Sequence, residues 1–207
     1  MSKLPDLRRA ARMAYRVLAA RQIASLPVDP LPILRSCRDT KVMTCLEAAD
    51  QLGASERDLE RLFGVADAVT LRDGSGGREQ YIILYRPGGN PARLRFTLAH
   101  ELGHRLLGHT GAAPAEEREA DHFASHLLCP DPVLARLRER FGDLHAEQVA
   151  SACYVSLSCA TLLSQRPPFP QEDPLYTQVY ELLQSAVDTA RPVSPMWLPH
   201  SLSQNGE

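Results

Sequence analysis

Apolar positions recur along the chain with two different periods, and the points where one period gives way to the other set out its plan. Near the start Leu7, Ala11, Ala14 and Leu18 fall at i, i+4, i+7 and i+11, the stripe of an amphipathic helix. Pro27, Pro30 and Pro32 then interrupt the backbone, and a short helix is expected from Leu31 to Arg38. Ser55, with Asp58 three residues on, opens another helix in capping-box style, and Gly64 closes it. The pattern next changes to β-rich runs at Ala68 to Arg72 and Gln80 to Tyr85 around Asp73-Gly74-Ser75-Gly76-Gly77, which predicts a hairpin. A helix from Arg95 to Leu107, ended by Gly108, and a second from Ala115 to Leu128, stopped by Cys129-Pro130, follow. Asp131-Pro132 starts a helix that ends near Gly142, His145 to Tyr154 forms the next, and Ser156 caps one that ends near Arg166. The rest is rich in proline and reads as a loose tail. It holds one amphipathic helix opened by Asp173-Pro174, with Leu175, Val179, Leu182 and Ala186 on its face. No internal repeat is visible, and the order of elements predicts an α+β fold with a small sheet beside helices.

Composition sharpens this picture at a few points. With 207 residues, 44% hydrophobic and 23% charged, the chain has the make-up of an ordinary globular protein large enough for a sizeable core. The longest apolar runs, such as Tyr81 to Tyr85, fall far short of the ~18 residues that a membrane span needs. A formal net charge of -2 gives no global field to draw nucleic acid or anionic lipid, so a nucleic-acid role would have to be local. Cys37, Cys45, Cys129, Cys153 and Cys159 form an odd set without a CxxC pair, which reads as reduced thiols of a cytoplasmic protein. The basic run Lys3, Arg8, Arg9, Arg12, Arg16 and Arg21 reads as part of the opening helix rather than as a transit peptide.

The chemistry concentrates in His100-Glu101-Leu102-Gly103-His104, an HExxH on an expected helix. Histidines at i and i+4 lie ~40° apart around the axis, so both imidazoles can reach one Zn²⁺, and Glu101, ~100° from His100, can flank a water on that ion. Amide hydrolysis needs that set: an ion to make a water acidic and a carboxylate to take its proton. A third ligand has candidates in the following helix, namely Glu116, Glu117, Glu119, Asp121, His122 and His126. At ~100° per residue Glu117, Asp121, Ala124 and Leu128 share one face, which reads as a buried face with two carboxylates at its start. A zinc ligand at Glu117, with Asp121 accepting an imidazole N–H behind it, would compensate that charge.

The segments Arg95-Phe96-Thr97-Leu98-Ala99-His100-Glu101-Leu102-Gly103-His104 and Glu117-Arg118-Glu119-Ala120-Asp121-His122-Phe123-Ala124-Ser125-His126-Leu127-Leu128-Cys129-Pro130 resemble the two signature blocks of the ImmA/IrrE family of metallo-endopeptidases. The resemblance covers roughly residues 60 to 166. It implies zinc ligands His100, His104 and Glu117, a catalytic Glu101, and a supporting Asp121, at a position where the family carries Asn or Asp. His126 and Cys129 depart from residues that are often Glu and Met there, and neither touches the implied ligands. The resemblance also implies a zincin-like core, with a small sheet, the HExxH helix and the glutamate helix, followed by a helix-turn-helix-like segment. The chain then divides into an N-terminal helical segment (1–60), the core (61–130), the helix-turn-helix-like segment (131–166) and the proline-rich tail (167–207). Family members act inside the cell on a helix-turn-helix transcriptional repressor, whose hydrolysis relieves repression in a mobile element or stress regulon. That substrate is the partner the resemblance implies. The alternative is an inactive or DNA-binding regulator that binds the repressor or its operator.

Other features are weaker. His109 lacks the metzincin spacing for a ligand, since Leu107 and Thr110 stand where Gly and His are needed. His122 and His126 repeat an i, i+4 pair, but their phase sets them away from Glu117 in a packing or solvated role. The strand Tyr81 to Tyr85 is either an ordinary sheet strand or an edge on which an extended peptide could align. Tyr81, Tyr85, His109 and His126 are all candidates for donating to a carbonyl oxygen. The helix pair between His145 and Arg166 resembles a helix-turn-helix, yet its second helix has Arg166 as its one basic residue, too few for phosphate neutralisation. Direct DNA contact is therefore not expected. The pair reads as a packing unit and as a candidate docking surface for the repressor.

Overall fold

The computed structural model describes residues 4–53, 55–64, 66–73, 80–111, 113–166 and 168–190. Local signals set most of the elements. Helix α1 (Leu7–Ala20) begins at Asp6, whose carboxylate accepts from the Arg9 amide, and α2 (Pro30–Arg35) begins at Asp29 with proline in its first turn. Helix α2 stops at Ser36, before the expected Arg38, because the chain turns there into a strand that the sequence reading missed, β1 (Thr40–Thr44). Helix α3 (Cys45–Leu52) opens with a complete Thr44/Glu47 capping box, and α4 (Glu56–Phe63) is capped by Ser55 as expected. Strands β2 (Ala68–Asp73) and β3 (Gln80–Tyr85) pair antiparallel, as the hairpin reading requires; most of its glycine-rich turn lies outside the described residues. Helix α5 (Pro91–Leu107) starts four residues before the expected Arg95, because the Asn90 side chain accepts from the Ala92 and Arg93 amides ahead of Pro91. Then come α6 (Pro114–Leu128), α7 (Asp131–Phe141), α8 (Ala146–Cys153), α9 (Leu157–Gln165) and α10 (Pro174–Thr189).

The sheet order is β1-β3-β2, with β1 parallel and β2 antiparallel to β3. Strand β3 is therefore central, which removes the reading of Tyr81 to Tyr85 as an edge open to a peptide. Its unbroken apolar run follows from burial on both faces. Ile83 and Tyr85 join Leu98, Ala99 and Leu102 of α5, while Leu84 joins Met43, Cys45, Ala48, Leu59 and Phe63 of β1, α3 and α4. The fold is mixed α+β.

Helix α6 packs against both α5 and α1. The approach to α5 is close enough that a Cβ on Gly103 would stand 3.0 Å from Phe123 Cδ1 and 3.2 Å from the Ala120 Cα. Helices α8 and α9 are joined through Tyr154, at φ 50°, buried Val155 and the Ser156 cap, and Arg95 of α5 holds that turn by donating to the Cys153 and Tyr154 carbonyls. Asp131 does not cap α7 as expected. It is that helix's first residue, and its buried carboxylate bonds Arg166 and the Phe169 amide. Helix α10 packs on α7 and α1, so this part of the tail is integrated. Its buried line is Val179, Leu183 and Val187, with Leu175, Leu182 and Ala186 at its flanks. No helix among the described residues is long and apolar enough to cross a membrane.

Candidate metal centre

One turn of α5 separates His100 from His104, and their Nε2 atoms converge to 2.9 Å. Glu117, in the first turn of α6, reaches both: Oε2 lies 3.3 Å from His100 Nε2 and Oε1 3.4 Å from His104 Nε2. Donors bonded at ~2.0–2.1 Å to a tetrahedral ion stand ~3.4 Å apart; each Glu117 oxygen meets that spacing toward one of the two imidazoles, and the histidine pair is slightly closer. Among the described residues this is the one group of three or more such side chains gathered within 4.8 Å. Asp121, one turn beyond Glu117, places Oδ1 2.8 Å from His100 Nδ1. With the Nδ1 proton donated to that carboxylate, His100 keeps its Nε2 lone pair for a metal.

Electrostatics follow from this crowding. Burial works against a proton on His100, but Asp121, Glu101 and Glu117 outweigh it and raise the pKa. His104 is pushed down to about 4 by burial and by His100 and His109, which keeps its ring neutral. Burial raises the Glu101 carboxyl against an opposing bond from the Thr70 hydroxyl, whose Oγ1 donates to Oε2 at 2.5 Å.

Four of the five residues singled out from the sequence, His100, Glu101, His104 and Glu117, thus line one cleft of about 460 Å³, and Asp121 bonds His100 from the neighbouring groove. Glu117 and Asp121 are not on a buried face, however; their side chains are 41% and 59% exposed. The rest of that face, Ala124 and Leu128, is buried as expected, and because α6 is covered from two sides Glu119 and His126 are enclosed as well. His109 lies beneath His104 and outside the ligand group. His122 and His126 do pack away from the centre, with their Nε2 atoms 3.1 Å apart and Arg166 nearby. Of the four candidate donors to a carbonyl oxygen, Tyr81 lines the cleft, whereas Tyr85, His109 and His126 are buried elsewhere. Thr70 and the rest of the β2 wall were missed. Among the described residues strand β2 pairs with β3 alone, and it forms a border of the cleft through Ala68, Val69, Thr70 and Arg72.

Residues 48–161 match the peptidase family model described as the IrrE N-terminal-like domain. The chain is 30% identical over 183 residues to the radiation response metalloprotease IrrE of Deinococcus radiodurans, which covers 80% of this chain and 49% of that protein. A protein of the same name from Deinococcus deserti is 37% identical over 87 residues, 38% of this chain and 31% of the relative. The chain therefore spans about half the length, or less, of the curated relatives it matches. Both helices that carry the His100, His104 and Glu117 cluster fall inside the matched region, and the chain belongs to the family of the IrrE N-terminal-like domain.

Proposed function

We propose that the chain is a zinc-dependent cytoplasmic endopeptidase that hydrolyses a bond in a helix-turn-helix transcriptional repressor and so relieves repression. The observation that carries this reading is the convergence of two imidazoles and one carboxylate, their ligand atoms within 4.8 Å of one another, with Glu101 lining the same cleft. Two nitrogens and one oxygen with a position left open are the donor set of catalytic zinc in a zincin-like arrangement. A zinc ion held by His100, His104 and Glu117 supplies the Lewis acid that makes a water nucleophilic at neutral pH.

The remaining work falls to the chain's own side chains. Glu101, whose pKa burial raises, accepts the proton of the attacking water and returns it to the leaving amine. Thr70 fixes the carboxylate's orientation. Of the candidate donors to the carbonyl oxygen, Tyr81 is the one that lines the cleft, which supports it in that role. An extended peptide adding to the open side of β2 would run along the wall of the cleft past Glu101. Beyond Asp121, a second groove of about 570 Å³ lies between α6, α9 and Phe96, and it supports a docking role for the helix-turn-helix-like pair α8 and α9.

The test uses the purified chain, a candidate helix-turn-helix repressor and casein. About one zinc per chain, with chelator-sensitive cleavage of the repressor and little of casein, is expected. Zinc-loaded protein that leaves the repressor intact would overturn the substrate, and protein that takes up no zinc would overturn the enzyme.

A further inference from the structure

We infer that His109 and Glu119 act as a positioning pair that fixes the tautomer and orientation of His104 from behind, and that helix α1 completes this support. The inference rests on the reading of His104 as a metal ligand.

Along the line from His104 to Glu119 each donor must face an acceptor. His104 turns Nε2 toward His100 and Glu117, so a lone pair is needed there and the ring proton must sit on Nδ1. That Nδ1 lies 3.0 Å from Nδ1 of His109, whose Nε2 in turn lies 3.1 Å from Glu119 Oε2. An ionised carboxylate can only accept, so His109 carries its proton on Nε2 and offers a lone pair at Nδ1. One assignment therefore satisfies the whole line: His104 Nδ1–H donates to His109, and His109 Nε2–H donates to Glu119. The opposite tautomer of His109 would set a lone pair against the carboxylate and a second N–H against His104. At 4% and 2% exposure, His109 and Glu119 have little water to repair such a mismatch.

Helix α1 anchors the far end. The Asp6 amide donates to Glu119 Oε1 at 2.8 Å, Arg9 stands 3.7 Å from Oε2, and the Arg9 guanidinium also donates to the Leu107 carbonyl at 2.7 Å. The first helix lies outside the residues that match the family model, so this chain ties its metal ligands to a segment that the match does not include. The two histidines are thus supported differently. His100 meets a carboxylate directly, and His104 reaches one through a second imidazole.

Partners of this kind set metal affinity, typically by about 10–100-fold. The experiment measures zinc affinity of the full chain by competition with a fluorescent chelator, together with the visible spectrum of the Co²⁺-loaded protein. His109→Phe keeps a ring and removes both nitrogens, and a loss of about 10–100-fold with shifted Co²⁺ bands is expected. His109→Asn places an oxygen near the former Nδ1 and should recover part of that loss, which a packing role would not produce. Equal affinity in the wild type and His109→Phe, or equal losses in Phe and Asn variants, overturns the pair. A wild type that binds no zinc instead overturns the underlying ligand assignment. Should His109→Phe fail to fold by circular dichroism, Glu119→Gln decides: a several-fold loss with altered Co²⁺ bands supports the pair, and no change in either overturns it.

Discussion

At Glu101 burial and a single hydroxyl pull against each other, and the balance defines its task. Desolvation lifts the carboxyl toward the range of a useful general base while Thr70 holds one oxygen still. Glu101→Gln keeps the volume and cannot take a proton. Zinc content near the wild-type value with proteolysis lower by about 10²–10⁴-fold is expected from metal analysis and a cleavage assay; comparable cleavage would remove Glu101 from the mechanism. The three HExxH side chains were legible because helical spacing alone dictates where they point, whereas Thr70 sits on another element 31 residues upstream and carries no local signal. His122 tests the surrounding packing. Burial and Arg166 push it down to about 4 from its ordinary 6.5. Between those values the unfolded chain binds a proton that the folded chain refuses, so this contribution is fully present above about pH 6.5 and is lost as pH falls toward 4. Thermal melts of metal-free protein should therefore drop less steeply over that window in His122→Gln than in the wild type, and parallel curves would show that the histidine is not the cause.

Elements were readable where one surface decides their pattern and misread where two do. Strand β3 looked like a possible edge because its run is short, yet apolar residues at every position from Tyr81 to Tyr85 are what two covered faces require. Strand β1 escaped notice because Met43 is the one fully buried residue among its five. Helix α6 packs against α1 and α5 at once, so a single face accounts for buried Ala124 and Leu128 but not for enclosed Glu119 or for Glu117 at the cleft. The α5/α6 contact also shapes the candidate metal centre, since His100 and His104 come from one helix and Glu117 from the other. Gly103 stands between His100 and His104 at the closest approach. Ala at this position gains about 1 kcal/mol of helix propensity, but its methyl meets the Ala120 backbone at 3.2 Å, which cannot swing away. Overpacking of about 1–3 kcal/mol should offset that gain. Gly103→Ala is expected to melt at lower temperature and to bind zinc more weakly than the wild type. An unchanged or raised melting temperature would mean that α6 can move aside without disturbing Glu117.

Across the whole molecule, two depressions meet at one residue. Asp121 lines the apolar groove under α9 and bonds His100, which faces the cleft beside β2. Helix α9 is held in place from several directions, because Arg166 at its end pairs with buried Asp131, and Asp131 also takes the Phe169 amide and sits beside Tyr15 of α1. A surface held in this way beside the candidate metal cleft suits the proposed peptidase acting on one protein. Zinc chemistry by itself attacks any amide that reaches it, so restraint has to come from what can be brought there. The groove is lined by Phe96, Leu162, Leu163 and Arg118 among others, and Leu162, 72% exposed, offers apolar surface to a partner there. An apolar side chain of the repressor seated against it would gain about 1.5–3 kcal/mol, or roughly 10–100-fold in productive binding. Leu162→Asp should leave the melting temperature and zinc content unchanged, because the side chain is already in water. Its cleavage of the intact repressor should fall by about tenfold or more, while a short peptide spanning the same scissile bond should be cut at the wild-type rate. If repressor and peptide lose rate together, or neither does, the groove does not select the substrate and the exposed leucine belongs to packing alone.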